Sequence, residues 1–169
     1  MKSIRNGFLR FLILFLVFFF QSSPIIGRFS IKGVTPDLLF AVLFIYAIYI
    51  KDSEVVTYAL VFGSATDLLF GKIYGVSTVL LIGFICLCIL LNKYIYTESR
   101  VIVGVYCGIV SFLYELSFLL INTAIWHKAV FSLEVFQMIL IKSVYNGLVV
   151  LPVFYIARKI RRASQEVRL

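Results

Sequence analysis

The chain reads as an all-α integral membrane protein, and two observations carry that reading. It is 62% hydrophobic and 14% charged over 169 residues, against about a quarter charged in soluble domains. Its apolar residues also fall in blocks instead of alternating, which favours helices over a transmembrane barrel because only these two architectures satisfy the backbone inside lipid. The length suits one domain, 1–169, with no internal repeat or linker dividing it.

Six spans are predicted, at about 8–26, 36–50, 54–70, 75–92, 101–121 and 133–157. The apolar block of the first, from Phe11 to Phe20, follows Lys2, Arg5 and Arg10. It has the outline of a signal peptide but lacks a small-x-small cleavage site and leads into more membrane. Thr35, Pro36 and Asp37 open the second span: Thr can cap, Pro suits the first turn and an acid complements the helix dipole. The turn at residues 51–54 is short enough to set the third span antiparallel to the second. Gly71 to Gly75 forms the next turn, a polar link at 92–100 precedes the fifth span, and a loop at 122–132 holds Trp126, His127 and Lys128 before the sixth. Several spans fall short of the roughly 20 residues that cross hydrocarbon, so their ends recruit flanking polar residues or the bilayer thins.

An even number of spans places both termini on one side, and charge selects which. Eleven cations lie on the side of the termini, and only Arg28, Lys32, Lys72 and Lys128 on the other. Both termini are therefore expected in the cytoplasm. The net charge of +8 is concentrated at the termini and connections, as bilayer orientation requires, so nucleic acid is not the expected partner. The basic tail after Arg158 is read as an orientation signal binding anionic lipid headgroups.

Polar residues inside spans are the candidates for function. Gly63, Asp67 and Gly71 repeat every four residues and share one helix face, with Gly75 following at the same spacing. Asp67 either caps the turn beside Lys72 or marks a contact surface. Gly104, Gly108 and Ser111 line the helix face that carries Glu115, a small-residue stripe that admits a close neighbour. Glu115 and Lys142 lie roughly 9 and 13 Å below the outer ends of consecutive antiparallel helices at about 1.5 Å per residue. They are expected near one another, as an ion pair or through Asn146, and either clamp helix register or form a ligand or proton site. Asp67, Glu115, Lys142 and Asn146 thus form an expected intramembrane polar cluster in the outer half of the bilayer.

Catalysis is not expected. The single histidine, His127, cannot build an acid–base pair or a His-rich metal site, and no nucleophile-elbow, zincin or phosphate-loop motif occurs. Cys86 and Cys88 point about 200° apart on a helix and cannot share a metal. No metal or other cofactor is expected.

The PDLLF at Pro36 to Phe40, followed by Gly63, Asp67, Gly71 and Gly75 at the third-to-fourth turn, resembles the bacterial rod shape-determining protein MreD family. Length, six spans and a basic tail fit along the whole chain, while Lys72, Ile73 and Tyr74 replace the small, Pro-containing turn expected there. The resemblance implies a non-enzymatic subunit of the cell-wall elongation machinery (the elongasome) in the cytoplasmic (inner) membrane. Its implied partners are a bitopic MreC-type protein and, through it, the MreB filament and the peptidoglycan polymerase and transpeptidase pair. It also implies a fold similar to the substrate-binding subunits of vitamin transporters. Such a subunit is the alternative function, with Tyr114, Tyr145 and Trp126 available as pocket walls.

Overall fold

The structure is a computed structural model that describes residues 2–50, 53–70, 75–95, 99–126 and 132–166. Six α-helices follow in order: α1 (Lys2–Ser22), α2 (Leu38–Tyr49), α3 (Ser53–Phe70), α4 (Val76–Leu91), α5 (Arg100–Trp126) and α6 (Leu133–Glu166), with a 3-10 turn at Pro24–Phe29. No strand occurs among the described residues; Ile31 and Val34 form an isolated bridge. The turn at 71–74, including Gly71, lies outside them, as do Lys51, Asp52 and the loop residues 127–131 that include His127 and Lys128.

The bundle is organised around α2. Leu39 through Ile45, Ala47 and Ile48 are all buried, and the helix packs against α1, α3, α4 and α6. A helix apolar on every side is stable only when surrounded, and here its neighbours surround it. Phe40 and Phe44 stack along it and meet Tyr114 and Tyr106 of α5, so aromatic edges fill the interior where aliphatic side chains would leave gaps.

Two helix pairs flank this centre. In the α3–α4 pair, a Cβ placed on Gly63 would come within 2.9 Å of Thr78 Cα, so glycine sets the closest approach of the two backbones. In the α5–α6 pair, Gly104 and Gly108 face Gly147 and Ser143; a Cβ on Gly147 would lie 2.8 Å from the Gly104 carbonyl oxygen. Packing between membrane helices depends on such close approach because lipid tails supply no hydrophobic drive toward association.

Several helix boundaries differ from the sequence reading. α1 stops at Ser22 instead of running to 26, because Ser23 caps the following 3-10 turn by accepting from the Ile25 N–H, and Pro24 opens it. α2 starts at Leu38, capped by Asp37 and not Thr35, which leaves Pro36 outside the helix. α5 runs on to Trp126 because Asn122 and Thr123 turn their side chains back onto the carbonyls of Phe118 and Leu119. α6 continues through Pro152 and takes the basic segment with it as helix to Glu166.

Away from the centre, Arg10 pairs with Glu54 at 2.9 Å and the Tyr58 hydroxyl donates to the Gly7 carbonyl, holding α1 to α3. The Asn92 amide donates to the Ile48 carbonyl at the end of α2. Arg100 lies over the Tyr155 ring, a cation–π contact between α5 and α6.

Candidate functional site

A helix that begins inside a bundle brings unpaired N–H groups with it, and in a dry interior each must find an acceptor. α2 and α4 meet this need in the same way, each with an aspartate.

At α2, Asp37 Oδ1 accepts from the Phe40 N–H at 2.9 Å. The Leu39 N–H donates to Gln21 Oε1 of α1 at 2.7 Å, while Gln21 Nε2 donates back to Asp37 Oδ1. The Asp37 N–H donates to Asn146 Oδ1 of α6 at 2.7 Å. Asn146 is 1% exposed and uses its amide Nδ2 to donate to the Ser111 hydroxyl of α5. One chain of hydrogen bonds thus joins α1, α2, α6 and α5 at a single level.

At α4, Asp67 is 2% exposed and accepts four bonds: from the N–H groups of Gly75, Ser77 and Thr78 and from the Thr78 hydroxyl, at 2.5 to 3.1 Å. Gly75 has φ of 90°, a conformation that glycine adopts without steric cost. The carboxylate replaces a side-chain cap at Gly75 and places its charge at the positive end of the α4 dipole. Of the two roles open to Asp67, capping of the following element is therefore present in the structure.

Glu115 and Lys142 form a direct ion pair at 2.5 Å, with side chains 14% and 28% exposed. Asn146, one turn along α6, does not bridge them; its bonds go to Asp37 and Ser111. Asp67 likewise bonds to α4 and not to this pair. The expected four-residue cluster is thus three separate arrangements: a cap on α4, a relay through Asn146, and an ion pair. Asn146 lies one turn along α6 from Lys142, so the relay and the pair are adjacent on that helix. Both members of the pair line a cavity of about 280 Å³ together with Gly33, Val34, Thr35, Val135, Met138 and Ile139.

Sequence reasoning missed Gln21, Thr78 and Gly147. Gln21 had a signal, a lone amide closing an unbroken apolar run ahead of Pro24. Gly147 had one too, directly after Asn146 on the span facing the Gly104 stripe. Thr78 had none, since a threonine near a helix start is common.

Asp67 and Asn146 bond to a helix N-terminus and Asn92 Nδ2 to the end of α2, while Ser143 bonds back onto the Ile139 carbonyl of its own helix; among the described residues no group of three His, Cys, Asp or Glu side chains could hold a metal ion. The arrangement fixes how helices meet and presents one charged pair to a cavity.

The fold and these caps define an all-helical protein in which two helices, Arg100–Ile125 and Leu133–Lys159, are long and apolar enough to cross a membrane. Residues 2–160 match the family of the rod shape-determining protein MreD, and the chain belongs to that membrane protein family. Neither a curated protein nor a solved structure matches it. Family membership implies a role in determining rod shape.

Proposed function

We propose that the protein is a non-enzymatic, multi-pass subunit of the bacterial cell-wall elongation complex, with six spans in one bundle and both termini in the cytoplasm. In this reading it binds a bitopic MreC-type protein, and acts through it with the MreB filament and the peptidoglycan polymerase and transpeptidase pair. The family match over residues 2–160 carries the proposal.

The surface supports the multi-pass part. Phe8, Leu9, Leu16 and Phe19 of α1, Leu68 and Leu69 of α3, and Val79 and Leu90 of α4 are more than half exposed. Apolar faces of this extent require lipid or protein against them. The shorter helices Gly7–Ser22, Leu38–Tyr49 and Val76–Leu91 then cross with the help of their polar flanks or a thinned bilayer. In this reading the face formed by Gly63, Asp67 and the Asp37 level serves as a rigid frame for the partner-binding surface.

The test is a crosslinked pull-down from native membranes. Recovery of a bitopic coiled-coil protein with cell-wall synthases is the expected result; recovery of ATPases with a transporter scaffold would overturn it in favour of a substrate-binding transporter subunit. Reporter fusions after Glu166 and at Lys32 check the orientation. The first should be read from the cytoplasm and the second from outside.

A further inference from the structure

We propose that the cavity between α5, α6 and the 31–35 loop is a binding site for a phosphoethanolamine-type zwitterion, a primary ammonium joined to an oxyanion. The proposal rests on the membrane-spanning reading of α5 and α6.

The walls come from three segments. Gly33, Val34 and Thr35 form one side, Glu115 of α5 a second, and Val135, Met138, Ile139 and Lys142 of α6 the third. The loop side is preset. Ile31 and Val34 exchange two backbone hydrogen bonds at 3.0 Å, and Lys32 and Gly33 between them have φ of 51° and 79°, the two positive values of a tight hairpin turn. At about 280 Å³ the cavity stands just below the range of small-molecule pockets, roughly 300–1,000 Å³, a size for a headgroup and not for a whole lipid.

Charge selects the ligand. The bond between Lys142 Nζ and Glu115 Oε1 uses one of three ammonium hydrogens and one of about four carboxylate acceptor sites. Both side chains line the cavity, so the unused capacity of each is available there. An anion alone would draw Lys142 away and leave the Glu115 carboxylate facing it; a cation alone would leave the ammonium in the same position. Asp37 adds a further negative charge near Lys142, but its carboxylate is engaged by the Phe40 N–H and Gln21 and does not line the cavity, so Glu115 is the carboxylate available to a ligand there. A zwitterion satisfies both charges at once: its oxyanion accepts from Lys142 and its ammonium donates to Glu115. A quaternary ammonium has no N–H to donate, so phosphocholine is the weaker match. Val34, Val135, Met138 and Ile139 supply the apolar wall along which an attached chain would leave.

The experiment is native mass spectrometry of the full-length protein titrated with palmitoyl-oleoyl phosphatidylethanolamine, phosphatidylcholine or phosphatidylglycerol. Phosphatidylethanolamine should bind at least about tenfold more tightly than the other two, roughly the worth of one charge-assisted hydrogen bond. Lys142→Met and Glu115→Gln should each abolish that preference. Val135→Trp, which fills the cavity and leaves the pair in place, should abolish it as well, and this variant decides the matter if the charge variants fail to fold. Leu148→Ala, on an exposed part of α6, should change nothing. Soluble glycerophosphoethanolamine distinguishes the source: binding by itself identifies a free zwitterion, and binding only of the lipid form identifies the headgroup. Equal binding of the three lipids, or a preference that survives Val135→Trp, overturns the proposal. Release of the protein from vesicles by carbonate would instead overturn the membrane-spanning reading beneath it.

Discussion

The Asp37 N–H donates to Asn146 Oδ1 at 2.7 Å across 109 residues of sequence. This bond sets the start of α2 against the middle of α6, and Ser111 extends it to α5. Asn146→Leu leaves the Asp37 N–H without its acceptor inside the bundle. It should destabilise the protein by about 1–3 kcal/mol, measured by denaturant titration in mixed micelles, and Ser111→Ala should cost less because only one bond is lost.

Asp67 gathers four donors at the start of α4. Asp67→Asn keeps the shape but removes the charge and turns an NH2 group toward N–H donors. A loss of about 1–3 kcal/mol is expected. Thr78→Val, which removes only the hydroxyl donor, should cost about 1 kcal/mol. Equal stability of Asp67→Asn and the unaltered protein would show that the carboxylate does not hold the α3–α4 pair.

Glycines that contact a backbone should differ from those that do not. Gly63→Ala and Gly147→Ala push a methyl group against Thr78 Cα and the Gly104 carbonyl, and each should destabilise by about 1–3 kcal/mol through helix separation. Gly83 of α4 has nothing within 4 Å of an added Cβ. Gly83→Ala should therefore be neutral or stabilising by up to about 1 kcal/mol. Thermal unfolding of the three variants in one detergent makes the comparison.

The Glu115–Lys142 pair calls for a double-mutant cycle. Either single neutralisation strands a half-buried charge and should cost up to about 3–5 kcal/mol. The double variant Glu115→Gln with Lys142→Met should regain most of that loss. Additive single losses would show that the two side chains do not act on each other.

Much of the fold was legible because membrane constraints act on composition and local pattern. The start of α3 and the start of α6 fell within a residue of the expected places, since block hydrophobicity marks where a helix must satisfy its own backbone. Ends were less legible. Asn122 and Thr123 read as loop residues, yet they lie in α5 because their side chains bond to carbonyls four residues back. The pairing of Glu115 with Lys142 followed from depth on adjacent antiparallel helices, a one-dimensional argument that needs no fold.

Composition and block hydrophobicity are enough to mark an all-helical membrane chain, and they single out Asp67, Glu115, Lys142 and Asn146 as polar groups placed inside its spans. What each of them holds depends on the packing of the helices in three dimensions. Asp67 and Glu115 could be placed at similar depth by counting residues along helices. Which acceptor meets which donor depends on azimuth and on which helices are neighbours, and these are set by glycine contacts such as Gly63 with Thr78 and Gly147 with Gly104. The expected single cluster therefore resolved into a cap on α4, a relay through Asn146 and an ion pair, and Asp67 left it because the strongest local demand on a buried carboxylate is an unpaired helix N-terminus within reach.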